Sequence, residues 1–533
     1  MEYIKRTPRC QLSFFPTALD DMIDQNNAVR FIDAFVDSLD LINLGFKPIP
    51  YTGKPPYNPS DLLKLYIYGY MNRMRSSRAL ETECKRNIEL MWLMGNLKPD
   101  HNTINRFRKN NPKPIKRVFR QSVEISKNFN LIGELLIAGD STKLRAQNSK
   151  KNNYNKKKID RHLAYIDNKL DEYNQALADA DQDNTQNPLD DEQRKDIKKQ
   201  IKKHKTHKAK YNNIKAKLED DSTGKNNQIS TSDPDSRHQI VRGTITEVCY
   251  TAQTTVDAKH KLLIDYKITN ENDKKAMGNM LRRAKTILGH NNFTALYDKG
   301  YHTGSEFKIA DDLGIETLVA IPGIGRASQA PNPNYNAEHF IYNKDSDTYT
   351  CPEGHNLSSN GSWYKARNYY FKQYKTKACN NCPMRSECTT AKVNGKIIQR
   401  SEYTQHIENN AKRIKASGDL YKQRQAIVEH PFGTMKRQWG FDHIMTKKGI
   451  KRASADFGFI ALAYNLKRLI NILGSKDLLK WFKEGCFGLY MLLKRRYLCL
   501  LTLFKGVFST FHCKPSFLMS HKYIYAFYAI QKI

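Results

Sequence analysis

Apolar positions along this chain follow two rhythms, three-to-four spacing and short unbroken runs, and the switches between them outline its elements. The first 125 or so residues carry the helical rhythm on a basic background. Ser60 stands before Asp61–Tyr68 as a helix cap, and Ser76–Ser77 open another helix. Asp100, just after Pro99, is placed to cap a helix over His101–Lys109. There Ile104 and Phe107 sit three apart and point inward, which predicts Asn105, Arg106, Arg108 and Lys109 on the outer face. A short helix, a turn and a polar, basic second helix outline a helix-turn-helix, with a basic surface helix in an ordinary bundle as the plain alternative.

A strand-like run, Leu135–Gly139, follows and ends on Asp140. From about 150 to 225 the sequence turns helical again and densely charged. Ile159, Leu163, Ile166 and Leu170 mark one helical face, Asn187–Pro188 break it, and a second charged stretch spans Glu192–Leu218. This predicts an exposed helical hairpin, a solvated spacer by default and a DNA contact by second choice. Strand character returns at Val248–Asp257 and Leu262–Thr269, with Ala258–Lys261 as the hairpin loop. A helix over Asp273–Leu288, a run ending on Asp298, a helix over Thr303–Leu313 and a strand over Glu316–Ile321 complete the series. Alternation around Phe340–Tyr342 and Tyr369–Phe371 predicts a small β-rich segment. Its Trp363, Tyr364, Tyr369, Tyr370 and Phe371, interleaved with Lys365, Arg367, Lys372 and Lys375, could track DNA, although aromatic stripes in strands are more often core. Ser454–Arg468 reads as a closing amphipathic helix.

Length and charge narrow the field. A chain of 533 residues implies two or more domains. Lys and Arg outnumber Asp and Glu by 88 to 54, a net charge of +34. Such a surplus favours nucleic acid, because each neutralised phosphate releases counterions; a ribosome-associated or merely basic protein is the alternative. Met1–Arg6 has no apolar leader core, and ten cysteines suit a reducing cytoplasm better than a disulfide scaffold. Beyond about residue 474 the chain is hydrophobic without a clear period. Its longest apolar runs, Cys486–Leu493 and Tyr497–Phe504, fall well short of the roughly 20 residues of a membrane span.

The candidate chemistry lies in three acids. Asp140 and Asp298 end apolar runs, and Glu429 follows in the basic helical segment Tyr421–Arg437. One Asp at a strand end is ordinarily a turn residue or a cap. Both together, with Gly139 before one and Lys299–Tyr301 after the other, carry more weight. This combination resembles the DDE transposases of bacterial insertion sequences, from about residue 10 to about 472. The resemblance implies an α/β fold: an RNase H-like catalytic core, a mixed sheet flanked by helices. Added to it are an N-terminal helical DNA-binding domain, a charged helical insertion and a small β-rich cysteine insertion. Asp140, Asp298 and Glu429 would hold two Mg²⁺, with Mn²⁺ a substitute, for cleavage and strand transfer at phosphorus. The third segment is similar to a family signature of Tyr, Arg, Glu and Lys, here Tyr421, Arg424, Glu429 and Lys436. Arg424 lies five residues before Glu429 where the commoner spacing is four, so Gln425 takes the glutamate's face. Tyr421, Arg424 and Lys436 are carried over as DNA contacts, and Arg106, Arg108 and Lys109 as contacts of the N-terminal region. Pro431 predicts a kink or restart near Glu429.

Cys351, Cys379, Cys382 and Cys388 contain a C-x2-C half-site, which predicts a structural Zn²⁺, with free thiols as the alternative and His355 as a substitute ligand. The expected domains are 1–130 (helical, DNA-binding), 131–325 (core, with the insertion at about 150–225), 326–400 (cysteine insertion), 401–473 (core helices) and 474–533 (tail). The expected function is metal-dependent cleavage at element ends and strand transfer, by a cytoplasmic, nucleoid-associated protein. Its expected partners are duplex DNA (terminal repeats and target) and at least one more copy of itself, with no membrane. The rivals are an RNase H-like nuclease without strand transfer and a transposase-derived DNA-binding repressor.

Overall fold

Among the described residues six α-helices precede the first strand: α1 (Ala28–Asp37), α2 (Pro59–Met71), α3 (Ser77–Arg86), α4 (Ile88–Leu93), α5 (His101–Asn110) and α6 (Pro112–Asn128). The structure, a computed structural model, describes residues 18–47, 55–181, 190–219, 228–243, 245–325, 328–391, 393–446 and 448–484. Asn58, two residues ahead of the expected Ser60, caps α2 by accepting from the Ser60 N–H. Pro59 then sits in the first turn, where its missing donor costs nothing. Asp100 caps α5 as the sequence predicts, accepting from the N–H groups of Asn102 and Thr103.

The next segment runs β1 (Leu136–Arg145), β2 (Asn153–Tyr154), α7 (Lys156–Ala180), α8 (Asp191–Glu219), β3 (Ile229–Ser230), β4 (Arg237–Arg242), β5 (Ile245–Asp257), β6 (Leu263–Thr269), α9 (Met277–Leu288), β7 (Thr294–Tyr297), α10 (Gly304–Asp312) and β8 (Glu316–Val319). Its main sheet is ordered β4-β5-β1-β7-β8, with β6 also on β5. β4 and β6 share one edge of the long β5, pairing with its Ile245 and Asp257 halves respectively. β5 runs antiparallel to β1, while β7 is parallel to β1 and β8 to β7. Strand, hairpin, helix, strand, helix, strand is the order read from the sequence, with α7 and α8 standing after the first strand.

A second sheet contains β9 (Ile341–Asn343), β10 (Thr348–Thr350), β11 (Asn356–Ser359), β12 (Tyr364–Lys365) and β13 (Tyr370–Lys375). The short helix α11 (Arg385–Cys388) follows, then β14 (Ile398–Ser401), which pairs with β13. Among the described residues its buried core is Phe340, Tyr349, Leu357, Tyr374 and Ile398. Trp363, Tyr364, Tyr369 and Tyr370 were expected inside more than outside. They are exposed, because a two-residue β12 leaves their face uncovered.

The chain returns through α12 (Thr404–Ala416), α13 (Gly418–Phe432), α14 (Ile450–Leu473) and α15 (Ser475–Lys483). α14, buried along most of its length, packs on α2, α5, α6 and β6. One hydrophobic core therefore joins the N-terminal helices to the main sheet, from Ile23 to Leu479. That packing corrects one expectation. Arg108 is 2% exposed and faces Asp456 of α14, donating to Tyr70 Oη at 2.7 Å, the Arg75 carbonyl at 3.1 Å and Asp456 Oδ1 at 3.3 Å. Arg106 and Lys109 are exposed as expected. Among the described residues no helix is long and apolar enough to cross a membrane. The apolar runs at 486–493 and 497–504 lie outside the described residues.

Candidate active site and cysteine cluster

Parallel pairing of β1 with β7 places the two aspartates. Leu136, Ile137 and Ala138 align with Thr294, Ala295 and Leu296, so the same register carried forward sets Asp140 beside Asp298. Gly139 is required at this crossing: a Cβ there would lie 2.0 Å from Cε1 of the fully buried Tyr297. Asp140 Oδ1 accepts from the Ser141 N–H at 2.7 Å, and Oδ2 from Arg424 Nη1 at 3.3 Å. Burial, aided by the charge of Asp298, pushes the Asp140 carboxyl up to about 6 against the opposing pull of Ser141 and Arg424. Asp298 Oδ1 accepts from the Gly300 N–H at 2.9 Å.

α13 lies across β1, β5 and β7. The side turned to the sheet carries Tyr421, Arg424, Val428 and Pro431 at three-to-four spacing, with Met435 continuing the stripe. Tyr421 Oη donates to the Tyr297 carbonyl at 3.1 Å, one residue before Asp298. Glu429, five residues past Arg424, is rotated roughly 140° from it at 100° per residue. It is exposed and accepts from Gln425 Nε2 at 2.8 Å. The off-face geometry that the five-residue spacing predicts is thus present. Pro431 does not stop the helix; six residues of π-helix, Gly433–Gln438, follow α13 at Phe432. A proline without its N–H breaks the regular ladder, and a wider turn is one way to continue. Lys436 Nζ donates to Thr142 Oγ1 at 2.9 Å and to the Lys143 carbonyl at 3.1 Å, tying this turn to β1 just past Asp140. Trp439 is buried against Phe441 and Tyr464.

Structure therefore brings Asp140 of mid-β1, Asp298 just past β7, Arg424, Tyr421 and Lys436 into one region and leaves Glu429 on the outer face of α13. Among the described residues, no three or more His, Cys, Asp or Glu side chains are grouped as a metal-binding set. The donor chemistry of the strand end nevertheless suits a hard cation. Two carboxylates repel one another there, and one of them is held partly desolvated. Sequence reasoning missed Thr142 and the Lys143 carbonyl as anchors of Lys436; their position two and three residues past Asp140 was the available signal.

Cys351, Cys379, Cys382 and Cys388 line one small cavity with His355, Tyr335 and Met384. All four are free thiols. The Cys351 N–H donates to the His355 carbonyl, and Cys351 Sγ accepts from the His355 N–H at 3.3 Å, forming a tight turn around the sulfur. Burial raises the Cys388 thiol against the pull of Lys396, with Cys379, Cys351 and Cys382 adding smaller contributions. The four cysteines share the lining of this cavity, and among the described residues they do not close into a metal-binding group. His355 also lines this cavity and meets Cys351 through its backbone N–H and carbonyl.

Residues 17–110 match the family described as Transposase domain (DUF772), and residues 350–470 match Transposase DDE domain. No curated protein and no solved structure matches the chain. The DDE domain implies an RNase H-like core, and the β1–β5–β6 and β7–β8 order agrees with a mixed sheet of that kind. The two transposase domains imply DNA as the partner. Together these two matches support a DDE transposase of insertion-sequence type.

Proposed function

We propose that the protein cuts DNA at the ends of its own insertion sequence and joins the freed 3′ ends to a target duplex. The observation that carries this reading is the juxtaposition of Asp140 and Asp298 by the parallel β1–β7 pair. These two acids and Glu429 would hold two Mg²⁺, with Mn²⁺ able to substitute. When bound, the ions supply activation of the attacking oxygen and stabilisation of the leaving one. Everything else is positioning by the chain. Glu429 reaches the strand end when α13 turns on β1, and that turn withdraws Arg424 from Asp140 to meet a DNA phosphate. The π-turn after Pro431 supports this reading, because an irregular ladder beside a site is a common place for such adjustment. Lys436 holds the turn to β1, and Tyr421 holds α13 to β7.

On this reading 131–325 and 401–473 form the core, interrupted by the α7–α8 hairpin and by the cysteine sheet of 326–400. In the latter, Cys351, Cys379, Cys382 and Cys388 would hold a structural Zn²⁺. Residues 1–130 recognise the terminal repeats, Arg106 and Lys109 among their contacts. At least two copies act together on bacterial DNA in the cytoplasm, because two ends must be joined. The test is product analysis with a labelled repeat-bearing duplex, a second unlabelled duplex and Mg²⁺. Label covalently joined to the second duplex is the expected result. Nicks alone would leave an RNase H-like nuclease, and binding without cutting in Mg²⁺ or Mn²⁺ would leave a DNA-binding repressor.

A further inference from the structure

The α7–α8 hairpin splits its charge unevenly. Both helices are amphipathic enough to pair, and their root is a small core of Tyr154, Ile159 and Ile214 beside the β2–β3 ribbon. That root lies just beyond the Arg145 end of β1, the strand that carries Asp140. α7 contains acids, and two of them are consumed by pairing inward: Asp167 with Lys208 at 2.6 Å and Asp160 with Lys215 at 2.9 Å. α8 has no Asp or Glu between Ile197 and Leu218. Lys198, Lys199, Lys202, Lys203, Lys205 and Lys210 are all exposed, and none takes part in a recorded ion pair among the described residues. At 100° per residue they fall within an arc of about 160°, opposite Ile197, Ile201 and His204. Along the axis they span about 18 Å, roughly half a turn of duplex.

Such a stripe works against its own helix, since like charges three and four apart destabilise it by roughly 0.2–0.5 kcal/mol per pair. Acids placed among the lysines would relieve that, and α8 has none along this stretch, while Asp160 and Asp167 of α7 pair with Lys215 and Lys208 instead. A solvated spacer needs no such sorting of charge. We infer that the outer face of α8 is a docking surface for the phosphate backbone of duplex DNA, on a hairpin inserted after the strand that carries Asp140. This rests on the transposase reading for its choice of polyanion, and it revises the spacer reading of the sequence. Lysines dominate the stripe, and lysines contact phosphates and read no bases, so the binding is independent of sequence.

The experiment uses the full-length chain and a labelled duplex of arbitrary sequence, with affinity measured across a salt series. Each phosphate contact contributes about 0.9 to the slope of log K against log salt. Replacing the six lysines by Gln should lower that slope by about 3 or more and weaken binding at least tenfold near 150 mM salt, with far-UV circular dichroism unchanged. Replacing them by Arg should keep the wild-type slope. Wild-type slope and affinity in the Gln variant would overturn the inference while leaving the proposed function standing. Failure of the wild type itself to bind any duplex would remove both. Competition by poly-glutamate as strong as that by duplex would assign the stripe to an acidic protein and overturn the DNA surface.

Discussion

The two large sheets are held together in different ways. In the main sheet, β5 is buried from Val248 to Asp257 and the covering helices contribute to a core that runs from Ile23 to Leu479. In the cysteine-bearing sheet five apolar residues do that work, and polar hubs stand where the rest of a core would be. Asp347 accepts from Tyr342 at 2.8 Å, Tyr374 at 2.6 Å and Lys372 at 2.8 Å. Arg400 donates to Glu408 at 2.6 Å and Tyr349 at 2.9 Å, and lies 3.7 Å over the Tyr342 ring. The lesson is about burial. A large core fixes the strands that carry Asp140 and Asp298 by packing, whereas a core of five residues needs cross-links, and four cysteines around one cavity are suited to supply one.

If the main core is what fixes the strand end, its buried charge should be the costliest to disturb. Arg108→Ala leaves Asp456 buried without its closest guanidinium and should cost about 3–5 kcal/mol in chemical denaturation. An Arg108 that served DNA would instead lose binding and keep stability. Gly139→Ala comes next. Its Cβ meets Tyr297, and overpacking of this kind costs about 1–3 kcal/mol, with cleavage falling further because the strand carrying Asp140 must shift. In the other sheet, Cys379→Ser with Cys382→Ser should remove about one zinc per chain. It should also create an early melting transition while the main transition stays in place. A single unshifted transition would break the contrast between the sheets.

The smallest effect is a pH dependence at Asp347. Its carboxyl is held down at about 2, first by Lys372 and then by Tyr374 and Tyr342. A folded-state value below the unfolded one, near 3.9, gives stability that is present above about pH 4 and lost as pH falls towards 2. Because the carboxylate is 42% exposed, solvent screens it and the gain is small. Asp347→Asn should flatten that acid limb for the early transition only, as read by near-UV circular dichroism.

Much of this arrangement was legible in the sequence because it rests on local signals. Asp140 and Asp298 ended apolar runs, Asp100 stood at a cap, and the hairpin over β5 and β6 was bounded by polar residues. Arg108 shows where residue type misled. Ile104, Phe107 and Arg108 have i, i+3, i+4 spacing, so position alone placed the guanidinium inside, and only the distant Asp456 makes that tolerable. The exposure of Trp363 and Tyr369 was not readable, because alternation predicts a strand without saying whether anything covers it. Glu429 lies between these cases. Its five-residue offset from Arg424 was visible, and the consequence depends on how α13 sits against β1, which no local pattern fixes.

The most direct test of the central claim is Mg²⁺-dependent cleavage of a repeat-bearing duplex by wild type and by Glu429→Gln. Glu429 is exposed, so the exchange should leave the melting temperature unchanged. The account predicts specific nicking at the repeat boundary by the wild type, reduced at least about 10²–10³-fold in the variant, the scale of losing one charge-stabilising group from an active site. Equal cleavage by both proteins would contradict it and leave Glu429 as the surface residue that its hydrogen bond to Gln425 makes it here.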